Sequence, residues 1–268
     1  AYEIGSGLVV SEMCIRDSAW KSAEPGVLFW DTIVRESVPD CYADLGFRTI
    51  STNPCGEIPL CPYDSCRLLA INLYSYVCNP FTEKAEFDYG LFAKHVAMAQ
   101  RIMDDIIDLE MEKIDRIIAK IKDDPETDEV KSTELHLWEK IKSKTIKGRR
   151  TGVGTTAEGD MLAAMGLRYG TPEATDFSED VHRRLALAAY GSSVKLARER
   201  GAFEIYNTAR EQHNPYINRL RLQSPELYED MVKYGRRNIA CLTIAPTGIG
   251  PPWVAHAPIS SGTTHVLS

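Results

Sequence analysis

Alternation between short β-favouring runs and long helical periods is the feature that most constrains this fold. Phe29–Val34, Phe47–Thr52 and Asn238–Ala245 are apolar or β-branched runs that predict short strands, the last of them buried. Long segments with helical spacing separate the second run from the third. Strands that alternate with helices in this way are typical of α/β proteins. The sequence therefore predicts an α/β fold.

The longest helix is predicted from Leu91 onward. Residues 108–147 within this region are half charged, with 11 acids and 9 bases among 40 residues. Such a segment predicts a charged, solvated helical hairpin that is broken at Pro125, and a docking role for the hairpin stays open. The apolar positions that give the long helix its period are Phe92, Val96, Ala99, Met103, Ile106, Ile107, Ile114, Ile117 and Ile121.

Further helices are marked by the residues at their ends. Glycine ends two of them, and a serine cap followed by a proline opens the third. The predicted helices are Ala157–Met165, Ser178–Arg200 and a segment from Pro225 to Tyr234.

The acidic composition limits the partners that the chain can have. It contains 31 Lys and Arg against 38 Asp and Glu, a net charge of −7, which argues against nucleic acid or an anionic membrane as partner. No apolar run of about 18 residues occurs, and no basic residues precede the short apolar stretch Ile4–Val10. Seven cysteines, an odd number, do not suggest a secreted disulfide framework. We therefore expect a cytoplasmic protein.

Both ends of the chain differ from its body. Residues 1–18 show no clean period, and Leu8–Ser18 resembles translated sequencing-adapter sequence, so we treat residues 1–18 as a non-native-looking segment. Residues 249–268 crowd Pro, Gly, Ser and Thr together without a period, which predicts a loop or a tail. The fold is expected in residues 19–248.

Asn53, Cys55 and Glu57 are the residues that point most directly to chemistry. They alternate on a Pro- and Gly-rich loop, so in an extended segment their side chains would point the same way, about 6.6 to 7 Å apart per two-residue step. A thiol between an amide and a carboxylate combines a hydrogen-atom or nucleophile centre with a hydrogen-bond donor and a proton acceptor. A buried structural thiol or a zinc loop with Cys61 and Cys66 stays an alternative, although these spacings are not those of zinc sites.

The loop and the segments that follow resemble the catalytic subunit of ribonucleotide reductase. The match to the finger-loop region of that family is long and specific, and the later motifs occur in the family's order. The resemblance covers about residues 19–248. The matching motifs are Ser51–Leu60, Asp64–Leu73, Arg149–Tyr169, Glu199–Phe203 and Arg237–Gly248.

The resemblance implies a ten-stranded α/β barrel with the finger loop inside, of which this chain would be a partial, central section with the charged hairpin as an insertion. By motif position, Cys55 matches the thiyl-radical cysteine, Glu57 the base at the 3′-hydroxyl and Asn53 an amide that binds the substrate. Cys66 matches one of two reducing cysteines, whose usual partner lies upstream in the family. The substrate phosphates would lie at Pro246, Thr247 and Gly248.

The resemblance also implies an activity and its partners. The form of the loop is most similar to the adenosylcobalamin-dependent class of ribonucleoside-diphosphate reductases, although a metal-containing radical partner subunit stays an alternative. The expected partners are a ribonucleotide, a nucleotide effector, a thioredoxin-like reductant and a second copy in a homodimer. We expect no turnover from these 268 residues alone. A noncatalytic thiol or metal-binding α/β module is the alternative from another class.

Two further patterns have a structural interpretation. Asp104 and Asp108 would share a helix face from which Asp105 diverges, which predicts a solvated face or a partner contact, and no metal site is predicted. Gly152 and Gly154 are too short a pattern for a dinucleotide fingerprint and predict a turn.

Overall fold

The computed structural model describes residues 6–23, 26–65 and 67–246, with side chains from residue 14. Helices dominate this part of the chain, and the strands are short. The helices are α1 (Ser6–Ser22), α2 (Trp30–Glu36), α3 (Tyr89–Asp123), α4 (Asp128–Gly148), α5 (Glu158–Ala164), α6 (Pro172–Arg200), α7 (Thr208–Glu211), α8 (Pro215–Gln223) and α9 (Pro225–Tyr234), with 3₁₀ turns at Pro39–Leu45 and Leu73–Tyr76. The strands are β1 (Ser51–Thr52), β2 (Pro59–Leu60), β3 (Leu69–Asn72), β4 (Val77–Cys78), β5 (Glu86–Phe87) and β6 (Val153–Thr156).

The centre of the fold is a small parallel sheet. Strand β3 pairs with β6 in parallel, with Leu69 opposite Val153. A third parallel segment, residues 240–246, follows the other edge of β6. There Leu242 bridges to Val153, and the Thr243 N–H donates to the Val153 carbonyl at 3.1 Å. Strands β3 and β6 and the third parallel segment thus form one short sheet, and the other two strand pairs are separate antiparallel ribbons. The expected barrel is therefore not closed within the described ranges.

All three predicted strands need correction. Asn238–Ala245 forms no continuous strand, since only Leu242 makes a β-bridge, to Val153. Phe29–Val34 is not a strand, since α2 covers Trp30–Glu36. Of Phe47–Thr52, only Ser51 and Thr52 form strand β1. Phe29, Trp30 and Val34 of the first run are exposed, with Phe29 at 70%, and Ile33 is half-buried. A half-buried pleated surface is what gives such residues their β preference, and none of the described strands pairs with this run.

The predicted helices are confirmed, with shifted ends. Helix α3 begins at Tyr89, where the Asp88 side chain accepts a hydrogen bond from the Leu91 N–H, and ends two residues before Pro125. Helix α6 begins six residues earlier than predicted, because Thr171 caps it and Pro172 occupies its first turn.

The hairpin of α3 and α4 is solvated on most of α4, where Thr145 and Gly148 are the buried residues. The first half of α3 instead packs against α6 and covers the parallel sheet. Buried residues that fill this layer include Phe92, Val96, Met103, Val153, Val181, Leu185 and Ala189.

The prediction of a solvated face is wrong for Asp104. Its side chain is fully buried, and it accepts hydrogen bonds from Arg149 Nε at 2.9 Å and Asn238 Nδ2 at 3.0 Å. Asp104 and Asp108 do share a helix face, because both contact the Arg149 guanidinium. Several buried donors from distant segments make burial of this carboxylate tolerable.

Gly152 and Gly154 do not form a turn. Gly154 lies within β6, and Gly152 immediately precedes that strand. A Cβ atom on Gly152 would lie 2.4 Å from the Arg67 carbonyl oxygen, and one on Gly154 would lie 2.0 Å from the Thr243 carbonyl oxygen. The two glycines therefore permit a close approach of neighbouring backbones.

Candidate active site

The finger loop, residues 51–60, is a hairpin closed by Asn53. Strands β1 and β2 pair antiparallel, with Ser51 opposite Leu60. The Asn53 N–H donates to the Ile58 carbonyl at 3.2 Å, and the Asn53 Oδ1 accepts from the Ile58 N–H at 3.0 Å. The Gly56 N–H donates to the Asn53 carbonyl at 3.0 Å, a tight turn in which Gly56 has φ +83°. The loop is thus a compact turn rather than an extended segment.

Asn53, Cys55 and Glu57 occupy different environments on this loop. Asn53 is buried at 9% exposure, Cys55 is exposed, and Glu57 is half-buried. The Glu57 Oε2 atom is buried and has no hydrogen-bond partner among the described residues. A buried carboxylate oxygen without a donor is costly unless it binds a hydroxyl or a proton from outside the protein. The structure therefore brings a reachable thiol and an unsatisfied carboxylate onto one tight loop.

The third parallel segment contacts the base of the finger loop. The Thr243 hydroxyl donates to the Glu57 carbonyl oxygen at 3.4 Å. Further along this segment, Pro246 is half-buried. Thr247 and Gly248 lie outside the described residues, so the predicted phosphate-binding site stays a prediction.

Arg150 anchors the segment that follows the finger loop. Its Nε donates to Asp64 Oδ2 at 2.7 Å, and its carbonyl accepts from Arg67 Nη1 at 2.9 Å. Arg67 also binds Glu110 and donates to the Thr145 hydroxyl at 3.2 Å. Cys66, between these anchored neighbours in sequence, lies outside the described residues, and its reducing role stays a prediction.

The other thiols near the core are protonated at neutral pH. Burial, together with the Asp64 carboxylate, raises the pKa of the Cys61 thiol to about 12. Burial likewise raises the pKa of Cys41 to about 11 and that of Cys241 to about 12. Because the thiolate is the reactive form, these residues are poor nucleophiles, and Cys55 is the reachable thiol of the site.

Sequence reasoning missed two residues that contact the finger loop or the segment after it, Thr243 and Arg150. Thr243 was predicted only as part of a buried strand, and Arg150 only as part of a family motif. Glycines two residues apart, at 152 and 154, were the signal in the sequence that backbones approach closely here. No sequence signal pairs Arg150 with Asp64, which lies 86 residues earlier.

Within the described ranges, no group of three or more His, Cys, Asp or Glu side chains is arranged to hold a metal ion. None of the helices described is both long and apolar enough to cross a membrane.

Comparison with known proteins gives a consistent picture. The family described as "Ribonucleotide reductase, barrel domain" matches residues 12–249. The chain is 31% identical over 234 residues to a "Vitamin B12-dependent ribonucleoside-diphosphate reductase" of Thermoplasma acidophilum, covering 87% of this chain and 24% of the relative. It is 29% identical to a protein of the same name from Mycobacterium tuberculosis, covering 86% of this chain and 26% of that relative.

A solved structure shows the same fold. The "Actinobacillus ureae class Id ribonucleotide reductase alpha subunit" matches with a TM-score of 0.57 at 17% sequence identity, covering 89% of this chain and 37% of that chain. The present chain spans about a quarter of the length of the curated relatives that it matches.

Proposed function

The chain belongs to the ribonucleotide reductase barrel-domain family, and from this membership we propose that it takes part in the reduction of ribonucleotides to 2′-deoxyribonucleotides. One observation carries the proposal beyond family membership. The tight finger loop presents the Cys55 thiol to its surroundings and keeps one Glu57 oxygen buried without a donor. That pairing is what radical chemistry at a ribose needs, a hydrogen-atom acceptor beside a proton acceptor.

In the proposed reaction, the Cys55 thiyl radical takes the hydrogen atom from C3′ of the ribose, so that an S–H bond forms as the C3′–H bond breaks. Glu57 accepts the proton of the 3′-hydroxyl, and the 2′-hydroxyl takes a proton from the reducing thiols and leaves as water. Cys66 and a second thiol deliver a hydrogen atom to C2′ and one further electron and become a disulfide, while Glu57 returns its proton to the 3′-oxygen. Return of the hydrogen atom from Cys55 to C3′ completes the cycle, so the net reaction consumes one dithiol and releases one water.

Asn53 has a double task in this proposal. Its Oδ1 already accepts the Ile58 N–H. A substrate contact of the Asn53 amide, to a ribose hydroxyl, is proposed from the position of Asn53 in the family motif. Asn53 would then fix the loop and the sugar with one side chain.

Adenosylcobalamin is the proposed cofactor, as the names of the relatives from Thermoplasma acidophilum and Mycobacterium tuberculosis indicate for those proteins. The exposed Cys55 thiol fits this group, since a radical source must reach the thiol from outside the loop. When bound, the cofactor would supply the radical. A metal-containing partner subunit is the alternative radical source.

The remaining partners follow from the same chemistry. The substrate would be a ribonucleotide whose phosphates lie at Pro246, Thr247 and Gly248, and a thioredoxin-like protein would reduce the disulfide. A nucleotide effector and a homodimer are proposed from the family. The cytoplasm is the proposed location, because it keeps thiols reduced.

The test uses a chimeric reductase, in which residues 19–246 replace the aligned segment of the Thermoplasma acidophilum relative. We expect deoxyribonucleotide formation that needs adenosylcobalamin and a dithiol, and complete loss of it in Cys55→Ser, because an O–H bond is too strong for the hydrogen-atom exchange. Cys78→Ser, another exposed cysteine, is the matched control and should keep full activity. Wild-type turnover by the Cys55→Ser chimera would refute the proposal.

A further inference from the structure

Strand β6 has two different faces. Thr151, Val153 and Thr155 point to the face that α3 and α6 cover, where Thr151 binds Gln100 and Thr155 binds His182. Because side chains alternate along a strand, Gly152 and Gly154 belong to the opposite face. This glycine face, defined by Gly152 and Gly154, carries no side-chain atoms, and Thr243 of the third parallel segment lies against it.

Thr243 fits into the space that the glycine face leaves. A Cβ atom on Gly152 would lie 2.6 Å from the Thr243 Cγ2 methyl, which is closer than real atoms approach. Thr243 is also buried at 9% exposure, and its N–H is bound to Val153. With both the methyl group and the backbone held, the stiff β-branched side chain keeps its hydroxyl in one direction. That hydroxyl donates to the Glu57 carbonyl oxygen at 3.4 Å.

We propose that Thr243 is a positioning residue that holds the Glu57 end of the finger loop. Gly152 and Gly154 leave the space in which Thr243 packs. The hydrogen bond acts on the Glu57 backbone, from which the unsatisfied carboxylate extends. Thr243 thereby fixes where the proton acceptor stands relative to Cys55. The catalytic part of this inference rests on the proposed function, whereas the structural part does not.

The structural part is tested on the 268-residue chain by amide hydrogen exchange, resolved to the peptide 51–60. Thr243→Val keeps the shape and removes the hydroxyl, and Thr243→Ala against Thr243→Ser compares two smaller side chains that differ only in the hydroxyl. We expect Val and Ala to speed exchange at Asn53 and Ile58 about three- to tenfold, the loss of one hydrogen bond. Ser should stay near the wild type.

Thr155→Val is the matched control, because it removes a buried hydroxyl from the other face of β6. It should leave exchange of the peptide 51–60 unchanged, even if it lowers the melting temperature. Equal exchange in Thr243→Val and in this control would overturn the inference. So would an increase in Thr243→Ser as large as that in Thr243→Ala, since the hydroxyl would then have no role.

The catalytic part is tested in the chimeric reductase. Thr243→Val should lower kcat about five- to tenfold with little change in KM, because the base is displaced while the substrate contacts remain. Faster exchange in the peptide 51–60 without any change in kcat would overturn the catalytic part. A chimera whose activity does not depend on Cys55 would overturn the proposed function alone and leave the exchange result standing.

Discussion

At the scale of single residues, the finger loop combines what the sequence could predict with what it could not. The grouping of Asn53, Cys55 and Glu57 was predictable, because the three alternate within five residues. Their separate environments were not, because they depend on the turn at Gly56 and on Thr243, which lies 186 residues after Glu57. A tight turn sends Asn53 inward to close the loop and leaves Cys55 outside. Local spacing therefore predicts the candidate site, and tertiary contacts determine its geometry.

Glu57→Gln in the chimeric reductase tests the proton acceptor. Gln keeps the volume and one acceptor oxygen but cannot take a proton, so the rate should fall by about 10²–10⁴ while substrate binding changes less. The measurement is the rate per folded molecule, with the melting temperature recorded alongside. An unchanged rate with a lowered melting temperature would make Glu57 a structural carboxylate.

At the scale of secondary-structure elements, prediction succeeded where a period was long and failed where a run was short. Helix α3 is 35 residues long, and apolar residues recur at helical spacing along most of it. Its start was therefore predicted to within two residues. Phe29–Val34 has only six residues, too few to distinguish a strand from the exposed helix α2. The start of α6 was missed because its cap lies before the apolar period begins.

The packing around strand β6 depends on Gly152 and Gly154, which have no side chain and so allow the neighbouring backbone to approach. The substitution Gly154→Ala tests this dependence. Its new Cβ would lie 2.0 Å from the Thr243 carbonyl oxygen, which is backbone and cannot turn aside. We expect a loss of at least about 1–3 kcal/mol in the free energy of unfolding, measured by urea denaturation. Gly159→Ala is the matched control in helix α5, where a Cβ would meet nothing within 4 Å.

The control should be neutral or stabilising by up to about 1 kcal/mol, since alanine favours a helix more than glycine does. Equal stability of Gly154→Ala and the wild type would show that the third parallel segment can move away from β6. The glycine face would then not be needed to seat Thr243.

At the scale of the whole molecule, a buried charge cluster joins segments that lie far apart in sequence. Asp104 of α3 contacts Arg149 at the end of α4, Arg200 at the end of α6, and Arg237 before the third parallel segment. Asn238 donates to both Asp104 and the Arg149 carbonyl. No periodicity could have predicted this cluster, because an aspartate on a helix has the same sequence signature whether it is buried or solvated.

The charge state of Asp104 makes the stability of this cluster depend on pH. Burial alone would raise the pKa of Asp104, but hydrogen bonds and charges from Arg149, Arg237 and Asn238 outweigh it and hold the pKa below the ordinary value of 3.8. A carboxylate with a lowered folded-state pKa stabilises the fold above its unfolded pKa, and this contribution is lost as the pH falls through the folded value. The cluster is therefore strongest at neutral pH and weakens below about pH 4.

Asp104→Asn removes the charge and keeps the shape. It leaves the buried Arg149, and the more exposed Arg200 and Arg237, without their shared carboxylate, so we expect a loss of about 3–5 kcal/mol at pH 7 in urea denaturation. Asp105→Asn is the matched control, because Asp105 also binds Arg200 but is half-exposed, and it should cost less than about 1 kcal/mol. The difference between the wild type and Asp104→Asn should shrink as the pH is lowered below 4. A difference that stays constant with pH would mean that Asp104 is not ionised in the folded protein, and that its cluster joins the helices to the third parallel segment by neutral hydrogen bonds.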